Sequence, residues 1–242
     1  MESRVQLMPT ARWLAAGAGV AAGAYAGYVG LAWARYGHAP SAGEDSGDAL
    51  LDRFMPSYEI VERHQIAIAA PAAVTLAAAR AVDLSRSPLA RAIFRGREII
   101  LGATPDRGPR PRSLLAEVQS LGWGVLADIP GREVVVGAVT RPWEANVTFR
   151  SIPGDSFAAF AEPGYVKIAW TLRADPVGGD ASIFRTETRA IATDARSRAK
   201  FRWYWSFLSP GIVLIRMSML GPVKAEAERR AAGAMNCRDV RP

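Results

Sequence analysis

The chain has 242 residues, half of them hydrophobic, with a formal net charge of +7 and one cysteine. This length gives one domain with a sizeable core once an N-terminal segment is set aside. The lone Cys237 excludes a disulfide framework and a cysteine-based metal site, and the largely arginine-borne charge suits an anionic membrane surface or nucleic acid without choosing between them.

Residues 13–34 form an uncharged run long enough to cross a bilayer, flanked by Arg4 and Arg12 before it and Arg35 after it. Trp13 and Trp33 stand near its ends, where amphipathic rings favour the membrane interface. Residues 1–36 are therefore expected to be a single-pass anchor; the alternative is a cleaved signal peptide, which normally has a shorter apolar core. The positive flank before the run outweighs the one after it, so the expected orientation puts the globular domain outside the cytoplasm. Gly19, Gly23 and Gly27 share a helical face, a spacing read as Ala/Gly-rich bias rather than a helix-pairing motif.

Residues 37–53, rich in Ser, Gly, Pro and acidic side chains, read as a flexible linker. The folded domain is expected over 54–232. It opens with an alternating strand at 58–69 that places Ile60, Glu62, His64, Ile66 and Ile68 on one face. His64 reads as a core or pocket histidine. Pro71 as first helical residue introduces a short helix, and Ser87 with Pro88 opens another over 87–101. Arg86, Arg91, Arg95, Arg97, Arg107, Arg110 and Arg112 make the dense positive region, either a solvated face or a contact for anionic lipid head groups near the anchor. Nucleic-acid binding is not expected, because the interleaved aromatics of a stacking platform are missing.

A short helix at 113–120 hands over to strands at 122–129, 132–140, 145–152, 165–175 and 182–193, joined by turn signals at Pro130-Gly131 and 177–180, with a helical turn expected at 157–160. In the 165–175 strand Val166, Ile168, Trp170 and Leu172 share one face, and Lys167, Thr171 and Arg173 the other. In the next strand Phe184, Thr186, Thr188 and Ala190 oppose Arg185, Glu187 and Arg189, so one sheet face is expected covered and the other solvated, with 185–189 a surface charge ladder. From Asp194 to about Arg230 the apolar residues Phe201, Trp205, Leu208, Ile212, Ile215 and Met219 recur at helical spacing, with a bend expected at Pro210 and a polar tail over 233–242. Arg202 and Arg216 argue against this segment as a second span.

This order of one strand, helices, a string of antiparallel strands and a long closing helix resembles the START-like, or SRPBCC, helix-grip superfamily over roughly 54–230. The opening FMPSYEIVERHQIAIAAPAAVTLAAA looks like its first strand and helix, in the style of uncharacterised bacterial polyketide cyclase/dehydrase-like members. The resemblance implies an α+β fold, a curved antiparallel sheet packed on the C-terminal helix, and a cavity between them for a hydrophobic small molecule or lipid. The expected lining is Trp170, Trp205, Leu208 and Ile212, with Thr186, Thr188 and His64 as polar points. The iron-binding oxygenase branch needs two histidines and a carboxylate; only His38 and His64 exist, the former in the linker, so no metal and no cofactor is expected. With no G-x-S-x-G elbow, Walker loop or H-E-x-x-H helix, the reading is a membrane-anchored binding module, with a cavity-type cyclase or hydrolase and a purely structural domain as alternatives.

Overall fold

The structure is a computed structural model that describes residues 8–39, 47–83, 86–104, 108 and 111–239. Helix α1 (Met8–Arg35) is largely apolar and mostly exposed from Trp13 onward, and it is long enough to cross a bilayer, a property that anchors and signal sequences share. Its C-terminal end is welded to the domain. Tyr36 is buried and donates its hydroxyl to Glu59 Oε2 at 2.8 Å, and Gly37 N–H donates to the Glu59 carbonyl at 3.0 Å.

The expected linker therefore ends early. Asp48 accepts from Leu51 N–H at 2.8 Å and caps a one-turn helix α2 (Ala49–Asp52), whose Leu51 is fully buried with Phe54 and Met55. The linker reading at 47–53 fails because an N-capped pair of leucines has a sheet face to bury itself on. Residues 40–46 lie outside those described.

Among the described residues six strands form one antiparallel sheet: β1 (Ile60–Ile68), β2 (Gly124–Ile129), β3 (Glu133–Thr140), β4 (Phe149–Arg150), β5 (Val166–Val177) and β6 (Ala181–Ala192). The order is β1-β6-β5-β3-β2, with β4 also paired to β3. The strand expected over 145–152 pairs only through Phe149 and Arg150. The helices α3 (Ala72–Ala81), α4 (Pro88–Leu101) and α5 (Leu114–Ser120) precede β2, and α6 (Gly154–Phe157) replaces the turn expected three residues later. Pro71 stands at the N-cap of α3 rather than inside it, while Ser87 caps α4 as expected, accepting from Ala90 N–H at 3.2 Å. Helix α7 (Ala195–Asp239) closes the chain with Pro210 and Pro222 inside it, and it continues through 233–239, where a polar tail was expected. This is the helix-grip arrangement in outline, an α+β fold with an antiparallel sheet against a long C-terminal helix.

Both sheet faces are covered. On the α7 side two apolar clusters form: one joins Trp170, Leu172, Phe184 and α3 to Met219 and Val223, and the other joins Ile60, Val166 and Ala190 to Phe201, Tyr204 and Trp205. On the far side Leu51, Met55 and Phe157 pack on Val135 and Ala169. Gly137 makes room for this cover, since a Cβ there would lie 2.9 Å from the Phe157 ring.

The expectation of a solvated far face is thereby corrected. Lys167, Thr171, Glu187 and Arg189 are all buried there beneath α2 and α6. Lys167 donates its Nζ to the Phe157 and Ala158 carbonyls, and burial lowers its pKa. Nor is 185–189 a surface ladder: Arg189, 1% exposed, bridges Glu187 Oε1 at 2.7 Å and Asp52 Oδ1 at 2.5 Å and donates to the Met55 carbonyl, while Arg63 reaches Glu187 at 3.1 Å. Strand alternation separates the faces correctly, but a polar face can be buried when it is internally paired.

Glu133 gives this face a pH dependence. Its carboxyl is buried and its pKa is pushed up to about 8, by desolvation first and then by the neighbouring Asp48. The native state thus holds a proton that the unfolded chain has released, and the associated stability is complete below the ordinary glutamate range and declines as pH rises through about 8. Glu133→Gln should flatten that decline in chemical-denaturation curves between pH 5 and 9. An unchanged slope would contradict this account.

Candidate functional site between the sheet and the closing helix

The strand registers place polar residues in the middle of the sheet face that α7 covers. Glu62 pairs with Thr188, and Thr188 with Trp170, while His64 pairs with Thr186. Side chains on paired residues share a face, so Glu62, His64, Thr186, Thr188 and Trp170 all point toward α7. From the helix Arg216 completes the group, with its guanidinium 4.5 Å from the centroid of the Trp170 ring. Three and four residues from Met219 and Ile212, Arg216 belongs to the inward stripe.

The result is a polar belt between two apolar clusters. The expected lining residues divide across it: Trp170 lies in the first cluster, and Trp205, with Leu208 and Ile212 packed against it, in the second. Thr186, Thr188 and His64 lie in the belt between them. Within the belt His64 Nε2 stands 4.0 Å from Glu62 Oε2, too far for a hydrogen bond. His64 Nε2 and Thr186 Oγ1 are buried without hydrogen-bond partners.

Burial, and then the Arg216 charge, lower the His64 pKa, so the imidazole is neutral at neutral pH. Burial raises the Glu62 pKa and lowers that of Arg216 to about 10, which still leaves the guanidinium charged. A neutral imidazole, a carboxyl with a raised pKa and a cation can bind a polar head or move a proton. Among the described residues no group of three His, Cys, Asp or Glu side chains is disposed to hold a metal.

The strand alternation puts Glu62 on the His64 face, and the structure sets the two side chains 4.0 Å apart. Sequence reasoning missed Arg216 as a site residue. The signal was present, since a charge at +4 from Ile212 and −3 from Met219 falls inside the apolar stripe and needs a reason to be there.

An open pocket of about 280 Å³ lies along the charged far face, bordered by Arg63, Arg173, Arg185 and Glu187 and also by the paired residues His64 and Thr186. Those arginines are paired with Glu187 and Asp175. The expected basic region is split. Arg86, Arg91, Arg95 and Arg112 are exposed, whereas Arg97 turns inward to the Tyr204 hydroxyl and the Pro142 and Glu144 carbonyls; Arg107 and Arg110 lie outside the described residues.

No protein-family model and no curated protein matches the sequence. Among solved structures, the chain is similar to a norcoclaurine synthase of Thalictrum flavum (10% identity, 71% of this chain and 95% of that one, TM-score 0.35). It is also similar to the Zhui aromatase/cyclase of Streptomyces sp. R1128 (14%, 71% and 94%, TM-score 0.28) and to CalU16 of Micromonospora echinospora (12%, 72% and 86%, TM-score 0.24). These neighbours are START-like (Bet v1-type, SRPBCC) proteins, the superfamily that the sequence resembles.

Proposed function

We propose that the chain is a membrane-anchored START-like domain that binds a hydrophobic small molecule or lipid between its sheet and α7. The observation that carries this reading is the polar belt of Glu62, His64, Thr186 and Thr188, which interrupts an otherwise apolar layer and leaves two buried polar atoms unpartnered. A protein that needed this layer only as core would be more stable with apolar residues there. An apolar ligand with a polar group fits a site of mostly apolar walls and a few convergent hydrogen-bonding groups.

Membrane attachment rests on the length and apolar character of α1, whose C-terminal half also packs on α7. Tyr25 donates to the Phe207 carbonyl at 2.6 Å, Tyr28 meets Ser209, and Arg202 donates to the Trp33 carbonyl while stacking on its ring. These contacts fix the C-terminal half of α1 along the 202–209 stretch of α7. Exposed Leu89, Phe94, Ile99 and Ile100 of α4 face the same solvent as Arg91 and Arg95, a combination suited to anionic lipid. The domain lies outside the cytoplasm in this reading, following the charge flanking α1. Added protease should therefore digest it in intact spheroplasts, and full protection would reverse the orientation.

The His64–Glu62 pair favours a second reading, a cavity-type cyclase or hydrolase in which these groups move a proton. His64→Ala and Thr188→Val separate the two. For a carrier, retention of an apolar dye without a charged head stays within a few fold, since each substitution removes at most one neutral hydrogen bond. Lost turnover of a candidate polyketide or ester with unchanged retention would favour the enzyme.

A further inference from the structure

Arg216, half-buried on the α7 side, is treated unlike Arg189, which this fold encloses. On the far face Arg189 is satisfied by two carboxylates and a backbone carbonyl. On the α7 side Arg216 has no carboxylate within ion-pair distance and no hydrogen bond among the described residues; its one close partner is the face of Trp170. An aromatic face stabilises a cation but accepts no N–H···O bond. Glu62, the acid of the belt, lies toward His64 and forms no ion pair with Arg216.

Two further groups share this deficit. Thr186 is 2% exposed and its hydroxyl has no partner, and His64 Nε2, on the directly paired residue of β1, is likewise buried and unbonded. Folded proteins leave few buried polar groups unmatched. Here a buried hydroxyl and a buried imidazole nitrogen are unmatched in one belt, beside a half-buried cation that has no ion pair among the described residues, with apolar clusters on both sides. Arg216 and the Thr186 hydroxyl are donors, and His64 Nε2 is a donor in one of its two neutral tautomers, so the group suits an acceptor with negative charge.

We infer that the ligand is an amphiphile with a carboxylate head, held by the Arg216 guanidinium with Thr186 and His64 completing its hydrogen bonds, and an apolar body lying toward Leu208 and Ile212. A carboxylate matches the planar fork of an arginine in a bidentate manner and presents lone pairs for a second donor. This inference rests on the binding reading above and adds the chemistry of the head group.

The test uses the full chain in detergent, stripped of bound lipid, with oleate, oleyl alcohol and oleyl phosphate as probes against wild type, Arg216→Met and Arg216→Lys. Wild type should bind oleate about tenfold or more tightly than the alcohol. Arg216→Met should remove that preference while changing the affinity for the alcohol by less than about threefold. Arg216→Lys, which keeps the charge and loses the fork, should fall between. The stripped Arg216→Met chain should melt no lower than wild type, because it loses an unpaired charge rather than a bond.

A lower melting temperature makes Arg216 structural and overturns the inference, as does tighter binding of oleyl phosphate than oleate. Equal binding of oleate and the alcohol by wild type overturns the head-group assignment and leaves the binding reading intact. Failure of wild type to bind any probe overturns both.

Discussion

Arg189→Met should cost the domain about 3–5 kcal/mol, the largest loss expected from any single charge removal in this fold. The side chain is almost fully buried and joins β6 to α2 through Asp52 and the Met55 carbonyl, and to Glu187 on its own strand. Tyr58 covers it, with the guanidinium carbon 4.6 Å from the ring centroid. Removing the cation leaves Glu187 buried with Arg63 as its remaining partner and releases the segment that covers the far face. Because domain stabilities are about 5–15 kcal/mol, a loss of this size moves the urea midpoint far enough to measure. Adding Glu187→Gln should recover part of it, since the two residues are in contact and their effects do not add. A loss below about 1 kcal/mol would mean that the network behaves as a surface pair.

Trp170→Ala is the second large effect, again about 3–5 kcal/mol. The ring is 2% exposed, lies edge-on to Trp123 with centroids 6.2 Å apart, and is roofed by Arg216. Trp170→Phe keeps most of the packing and should cost less, while weakening the seat of the guanidinium. If Trp170→Ala instead kept nearly full stability and lost retention of an apolar dye, the ring would be a pocket wall with no core role. Trp205→Ala, from the second cluster, gives the matching measurement on the other side of the belt.

The strands were legible because alternation reports which side chains share a face. It gave β1, β5 and β6 to within a residue or two, and it put Trp170, Thr186, Thr188 and His64 on the side that α7 covers. The caps were legible too, as Ser87 before Pro88 shows. What alternation cannot report is whether a second layer will cover the polar face. Arg189 and Lys167 look like solvent-facing residues until 47–55 and α6 fold over them.

One-turn elements such as α2 carry no periodicity, so the Asp48 cap was lost in a stretch whose composition is that of a linker. Arg216 opposes membrane insertion of α7 on the sequence alone, and its place at +4 from Ile212 and −3 from Met219 also puts a charge on the core-facing stripe. The division of the helix stripe into two apolar clusters depends on how α7 lies along β1, which spacing alone does not encode.

The central claim is that the layer between the sheet and α7 holds a hydrophobic molecule. Native mass spectrometry of the full chain, extracted gently from its own membranes, tests it most directly, with Ile212→Trp as the comparison because a larger ring beside the belt fills the space. The account predicts a co-purified apolar species on the wild-type chain and its loss from a folded Ile212→Trp chain. A bare wild-type chain, or a bound species that Ile212→Trp leaves undisturbed, would contradict it.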